Sequence, residues 1–134
     1  MTDAGDSAEE PAAEPTLPTV FTPHAEAVAR GRDVDAAALR ATLAEMQRSV
    51  QEYPGVADLV FEYRFAFSHD PLVERDGDTY LLLVPPRVWP EFGGALGVDD
   101  AMLAAMRAVH SRAFDDAVGE LARGDWEPLV VVAD

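Results

Sequence analysis

Histidine and aspartate stand side by side at His69 and Asp70, just before Pro71. An imidazole and a carboxylate can act together as general acid and base, or can bind a ligand. Aspartate before proline is also an ordinary start of a turn, and neighbouring turn side chains seldom point at one atom. Two interpretations stay open: a turn without chemistry, and a small-ligand-binding or hydrolytic enzyme that uses the pair with His110 beside Arg64.

The other histidines, His24 and His110, offer weaker chemistry. His110 falls on the apolar face of a predicted helix near the C-terminus, where a buried structural imidazole needs one hydrogen-bond partner. The separations between the three histidines match no metal-ligand motif, and the chain has no cysteine. No serine stands in a Gly-x-Ser-x-Gly turn. The sequence therefore predicts no catalytic residue set, no metal site, no cofactor and no disulfide.

A connection over residues 87–94 combines two aromatic residues, an arginine, a glutamate and two glycines. Binding residues concentrate on such connections at the end of a sheet, so this segment is our first choice for a ligand or partner surface. The alternative is a lid whose aromatic side chains fill the core. With the residues around the His-Asp pair, the candidate surface comprises Arg64, His69, Asp70, Arg87, Trp89, Glu91, Phe92 and His110.

Two predicted helices flank Gly97, and this arrangement resembles a helix-turn-helix. The resemblance gives a second alternative function, that of a DNA-binding regulator. A recognition helix should bring basic or amide groups to the groove with its first residues. Here the second helix opens with Asp99 and Asp100, which would repel phosphates. We therefore expect no nucleic acid partner.

Acidic residues outnumber basic ones by 25 to 10, every basic residue is an arginine, and the formal net charge is −15. Such a charge is screened in molar salt, where hydrated carboxylates also keep the surface wetted. In composition the chain resembles proteins of extremely halophilic archaea with a salt-filled cytosol. An acidic mimic of nucleic acid, or a surface that docks on a basic protein, is the alternative. The acids are dispersed along the chain, which favours the habitat interpretation.

Length and composition suit one domain, because 134 residues with 49% hydrophobic content can bury a core without disulfides. Residues 1–15 hold five acids and no base, and we expect a disordered acidic tail followed by a single domain over 16–134. The N-terminus has neither a basic start nor an apolar stretch, and no segment reaches transmembrane length. We expect a cytoplasmic protein without a membrane partner.

Helical signals dominate the first half of the predicted domain. Residues 16–21 form an optional edge strand, and a short helix over 23–30 ends at Gly31. A longer helix begins at Asp33 or Asp35 and ends near Tyr53. Its predicted core stripe comprises Leu39, Leu43, Met46, Val50 and Tyr53, and its other side carries Arg40, Gln47, Arg48 and Gln51.

Strand signals follow. An alternation of period two over residues 59–67 predicts a half-buried strand with an aromatic inner face. Two further strands meet at Asp76-Gly77, a hairpin signal. A short helix over 87–96, a long helix from Asp99 or Asp100 to about Arg123, and a strand over 129–133 complete the chain.

This element order predicts an α+β fold, with an antiparallel sheet of three to five strands and two long helices packed on one face. If residues 16–21 form a strand, a ferredoxin-like βαββαβ plan with insertions is the leading topology. The functional expectation is a small, salt-adapted, non-enzymatic interaction or accessory module that binds a protein partner or forms a homodimer. The aromatic strand and the segment from Trp89 to Phe92 are the surfaces expected to carry this function.

Overall fold

The computed structural model describes residues 16–119, 121 and 123–133, so the predicted acidic tail over 1–15 lies outside the described residues. The described part forms an α+β fold with five helices and a three-stranded antiparallel sheet in the order β1-β2-β3, which confirms the fold class. The helices are α1 (Thr22–Arg32), α2 (Ala36–Glu52), α3 (Val56–Ala66), α4 (Val88–Leu96) and α5 (Asp100–Val118). The strands are β1 (Leu72–Asp76), β2 (Thr79–Val84) and β3 (Glu127–Val132).

Local capping signals set several helix ends as predicted. The Asp35 carboxylate accepts from the Ala38 N–H at 2.8 Å, and the Asp99 carboxylate accepts from the Met102 N–H at 2.8 Å. Both are N-cap contacts that satisfy amides left free in a first helical turn. Gly97 ends α4 in the left-handed region, with φ at 68°. These caps confirm where α2 and α5 begin and where α4 ends.

Two predictions for the N-terminal part of the domain are wrong. Residues 16–21 form an irregular stretch and a turn instead of a strand, so the described residues do not make the four-stranded ferredoxin-like plan. The first helix does not end at Gly31 but continues to Arg32, and Asp33 takes the left-handed conformation at its C-cap. The N-cap residue of this helix is Phe21, which makes no side-chain capping bond and is fully buried in the core.

The predicted aromatic strand over residues 59–67 is also wrong, because this segment is helix α3. Val56, Leu59 and Val60 are buried on one side of the helix, whereas Phe61 and Phe65 are exposed on another. Positions 61 and 65 are four residues apart, so their side chains lie on the same helical face. The aromatic face expected in the core therefore points largely to solvent.

Among the described residues, side chains instead of a further strand close the outer edge of β3. Gln47 on α2 donates to the Val130 carbonyl and accepts from the Val132 N–H, both at 2.8 Å, and Gln51 donates to the Val132 carbonyl. Gln47 is buried, although its helical position predicted an outward side chain. The edge is completed by two more side chains, His110 on α5, which accepts from the Val130 N–H, and Trp89 on α4, which donates to the Pro128 carbonyl.

These hydrogen bonds attach three helices to one strand. Helix α2 reaches the sheet at the outer edge of β3, while the core residues of β2 and β3, such as Leu81, Leu82 and Leu129, are fully buried. The expectation that α2 and α5 share one face of the sheet stays a prediction. None of the described helices is long and apolar enough to span a bilayer.

The two hydrogen bonds of Gln47 to β3 should contribute measurably to the stability of the fold. Replacing Gln47 by leucine leaves a buried carbonyl and a partly buried N–H of β3 without their partner, and a buried group without a partner costs about 1–3 kcal/mol. We expect the free energy of unfolding, measured by urea titration, to fall by about 2 kcal/mol or more.

The matched control is Gln51→Leu, which removes a single bond at a half-buried position and should cost about 1 kcal/mol. Equal losses in the two variants would show that the double contact of Gln47 does not hold the edge of β3.

Candidate functional site

Asp70 is engaged by an arginine instead of by its histidine neighbour. The Arg64 guanidinium donates two hydrogen bonds to the Asp70 carboxylate, at 3.1 and 2.9 Å, and the Leu72 N–H donates a third at 3.1 Å. These bonds, that of Arg64 first, hold the pKa of Asp70 below its usual value. Arg64 and Asp70 are both exposed, so the pair fixes the turn between α3 and β1 more than it stabilises the fold.

His69 is held as part of an aromatic row. Its Nε2–H donates to the Leu83 carbonyl at 2.8 Å, and its ring stacks on Trp126 with centroids 3.7 Å apart. Phe67 lies on the ring with an interplanar angle of 6° and a centroid distance of 5.9 Å. Since a carbonyl can only accept, Nε2 carries a proton, and Nδ1 is buried without a hydrogen-bond partner among the described residues. The imidazole is thereby fixed in one orientation.

Tyr63 extends this row on the side of α3. Its ring stacks on Phe67 with centroids 4.8 Å apart. Burial, and then the negative charges of Glu91 and Glu62, raises the pKa of Tyr63 to about 12. The phenol therefore stays protonated at neutral pH. We call the series Tyr63, Phe67, His69 and Trp126 the aromatic row.

His110 belongs to the core. Its ring is fully buried, its Nδ1 accepts from the Val130 N–H at 3.0 Å, and its Nε2 has no hydrogen-bond partner. The rings of Phe21 and Trp89 pack on the imidazole, each with a centroid distance of 4.7 Å. Burial lowers the pKa of His110 to about 3, so the side chain is neutral. The hydrogen bonds and ring contacts of His110 involve other residues than those of His69, and none of them joins the two histidines.

The remaining candidate residues divide between core and surface. Trp89 is fully buried, and its Nε1–H donates to the Pro128 carbonyl at 3.2 Å, so it fills the core and does not present a surface. Phe92 is half-buried, whereas Arg87 and Glu91 are exposed. The Arg87 guanidinium lies over the Phe67 ring at 5.4 Å from its centroid. The sequence had predicted one surface over residues 87–94, and the structure separates its members.

His24 is half-buried, and its Nε2 is 2.9 Å from the carboxylate of the exposed Asp116. The three histidines thus have separate partners. Within residues 16–119, 121 and 123–133, no group of three histidine or acidic side chains is arranged to hold a metal ion.

The sequence did not predict that exposed aromatic side chains lie on one face of a helix. The Phe61 side chain is 71% exposed and that of Phe65 is 89% exposed, and Tyr53, at the C-cap of α2, is 84% exposed. The acidic residues Asp58 and Glu62 lie exposed on the same helix. We call Phe61 and Phe65 with these two acids the α3 face.

The buried His110 predicts a dependence of stability on pH. Its folded pKa of about 3 lies below the ordinary value of 6.5, so between these values the unfolded chain binds a proton that the folded chain does not. Stability is therefore present above pH 6.5 and is lost as the pH falls towards 3. We expect this histidine to remove about 2 kcal/mol between about pH 7 and about pH 5 in urea titrations.

The matched variant is His110→Asn, which keeps an acceptor for the Val130 N–H but has no titrating ring. In this variant the free energy of unfolding should no longer show the loss that His110 causes between about pH 7 and about pH 5, while the pH dependence due to the carboxylates remains. An unchanged slope in the variant would contradict a neutral, buried His110.

Comparison with known proteins places the chain without adding a residue role. No curated protein and no solved structure gives a match to it. A match to a protein family spans residues 19–132, which include all the described helices and strands. The chain belongs to the family described as Domain of unknown function (DUF8048).

Proposed function

We propose that this protein is a non-enzymatic interaction or accessory module and that the α3 face binds its partner. The observation that carries the proposal is the exposure of Phe61 and Phe65 on one face of a helix whose opposite side is anchored in the core. Single exposed apolar residues are common, but two aromatic rings one helical turn apart form a contiguous patch. Such patches are typical of protein contact sites.

The size of the patch supports this role. An aromatic side chain buries about 150–250 Å² when covered, so the two rings offer on the order of 300 Å² of apolar surface. Aromatic residues are also enriched at the energetic centres of interfaces. High salt strengthens the association of apolar surfaces, so an uncovered pair of this kind would be a greater liability in brine than in dilute buffer.

The charges beside the rings favour a partner with basic residues. Asp58 and Glu62 carry the only side-chain charges of α3 that lack an ion-pair partner among the described residues, because Arg64 pairs with Asp70. A partner segment with an apolar side and flanking arginine or lysine would complement both features. A second copy of this chain would instead place the acidic residues Asp58 and Glu62 against like charges at the contact, where salt screens charges less than on the open surface.

The contacts of the other candidate residues support a structural role for them. Asp70 is occupied by Arg64, His69 by a backbone carbonyl and His110 by the edge of β3. Asp99 and Asp100 open α5 after the Gly97 turn, which argues against a DNA-reading helix. The acids of the α3 face would also be repelled by anionic lipid. We therefore propose a protein partner and neither a nucleic acid nor a membrane.

Two helical peptides with the same apolar side test the α3 face, one flanked by arginine and the other by glutamate. We expect the arginine-flanked peptide to bind more tightly in fluorescence anisotropy, because it pairs with Asp58 and Glu62. The double variant Phe61→Ser/Phe65→Ser should weaken binding at least about tenfold, since both rings are removed.

Leu121→Ser is the matched control, because Leu121 is an exposed apolar residue outside α3. It should bind the peptide like the unchanged chain. Equal binding of both peptides, or no loss in the double variant, would refute the assignment. If light scattering shows that the unchanged chain is a dimer and that the double variant is a monomer, the partner of the α3 face is a second copy of this chain and not a basic protein.

We further propose that the protein works in the cytoplasm of a halophilic archaeon. The support is compositional: an excess of acids, arginine as the sole basic residue, and no lysine. Five ion pairs between an arginine and a carboxylate join described residues, and most of the described carboxylates remain unpaired on the surface. Those charges repel one another unless salt screens them.

Removing salt should therefore loosen the fold. In molar potassium chloride the Debye length is about 3 Å, and in dilute buffer it is several times longer, so repulsion between the carboxylates increases. We expect the helical circular dichroism signal to fall, or its melting temperature to drop, when salt is dialysed away. An unchanged spectrum and melting curve would contradict the salt-adaptation proposal.

A further inference from the structure

We propose that a cleft beside the aromatic row binds a small organic anion that carries a planar ring. The cleft, of about 290 Å³, opens between the end of α3, the connection from β2 to α4, and the segment before β3. Its lining comprises Ala66, Phe67, Ser68, Pro85, Arg87 and Trp126, and we call it the Arg87 cleft. This site is independent of the α3 face and of the proposed protein partner.

The polar groups of the Arg87 cleft are suited to an anion. Arg87 forms no ion pair with a carboxylate of any described residue, and no described residue accepts a hydrogen bond from the Trp126 indole. The guanidinium therefore keeps its fork of N–H donors for a ligand. Ser68 adds an exposed hydroxyl at the same cleft. A carboxylate or phosphate could accept from all three side chains.

The absence of acid from this lining is informative in so acidic a chain. The protein carries 25 acidic residues, yet no acidic residue within 16–119 or 123–133 lines the Arg87 cleft. Five of the ten arginines contact a carboxylate of a described residue, whereas Arg87, like Arg30, Arg32, Arg75 and Arg112, does not. Arg87 instead lies over the Phe67 ring, which positions its charge without neutralising it. A negative ligand would supply the missing counter-charge.

The aromatic walls of the cleft are rigid and suited to a planar group. Trp126 stacks on His69, whose orientation is fixed by the bond to the Leu83 carbonyl, and Phe67 is held between His69 and Tyr63. Two aromatic rings and a guanidinium therefore line one cleft in positions that a ligand does not need to reorder. The volume lies at the lower end of the range for ligand pockets, which limits the ligand to a small molecule.

The shared ligand chemistry is thus an anionic group attached to one planar ring, and the anion is either a carboxylate or a phosphate ester. Benzoate and phenyl phosphate are the two probes. Inorganic phosphate lacks the ring and benzyl alcohol lacks the charge, so each control removes one of the two proposed contacts. All four are titrated into the full chain in potassium chloride at a constant concentration.

The readout is the Trp126 indole N–H signal in ¹H–¹⁵N spectra. The other tryptophan, Trp89, is fully buried and bonded to Pro128, so it reports separately on the core. We expect at least one ringed anion to shift the Trp126 signal saturably while the Trp89 signal stays in place. Inorganic phosphate and benzyl alcohol should bind at least about tenfold more weakly, because each lacks one contact.

Arg87→Gln removes the charge and should weaken binding of the ringed anion at least about tenfold. Arg112→Gln is the matched control, since Arg112 is also exposed but does not line the cleft. Arg87→Lys keeps the positive charge but lacks the several N–H donors of the guanidinium, so it should bind the ringed anion with intermediate affinity. This variant replaces Arg87→Gln in the test if the glutamine variant does not fold.

The proposal is overturned if neither ringed anion shifts the Trp126 signal at millimolar concentration. It is also overturned if benzyl alcohol binds as well as benzoate, or if the Arg87 and Arg112 variants lose affinity equally. Tighter binding of benzoate would identify the natural ligand class as carboxylates, and tighter binding of phenyl phosphate would identify it as phosphate esters.

Discussion

The closed outer edge of β3 organises the molecule. An edge strand leaves alternate backbone groups unpaired, and buried groups of this kind must find partners. In this fold the partners are side chains of three helices: Trp89 from α4, His110 from α5, and Gln47 and Gln51 from α2. Each bond fixes the position of a helix relative to the strand. In the described part of the chain, side-chain contacts thus take the place of a fourth strand and connect three helices to β3.

This arrangement leaves α3 with a different role. Helices α2, α4 and α5 hold the edge of β3, whereas α3 buries Val56, Leu59 and Val60 and presents its opposite face to solvent. The other edge of the sheet, β1, carries charged residues and a register irregularity, features that discourage pairing with another chain. A partner is therefore expected on a helix face and not on a strand edge. The aromatic row and the Arg87 cleft lie next to the end of α3 and add a separate, cationic surface.

The sequence predicted features that depend on local rules and failed where distant contacts decide. The caps at Asp35, Asp99 and Gly97 and the hairpin at Gly77 follow from neighbouring residues, and they were correctly placed. In residues 56–67, Val56, Leu59, Val60, Tyr63 and Phe67 form one helical stripe, and Phe61 with Phe65 forms a second. Together the two stripes imitate the alternation of a strand, which produced the error in α3. Gln47 was misplaced because its partners on β3 lie 83 and 85 residues away.

Side chains should protect the backbone amides at the outer edge of β3 from hydrogen exchange as well as a neighbouring strand would. Hydrogen exchange at the Val130 and Val132 amides measures this directly, because their acceptors are His110 and Gln47 side chains. We predict protection equal to that of Val131, which pairs with Tyr80 inside the sheet, so that all three exchange through global unfolding. Exchange of Val130 and Val132 at the rate of exposed amides, with Val131 still protected, would contradict the account.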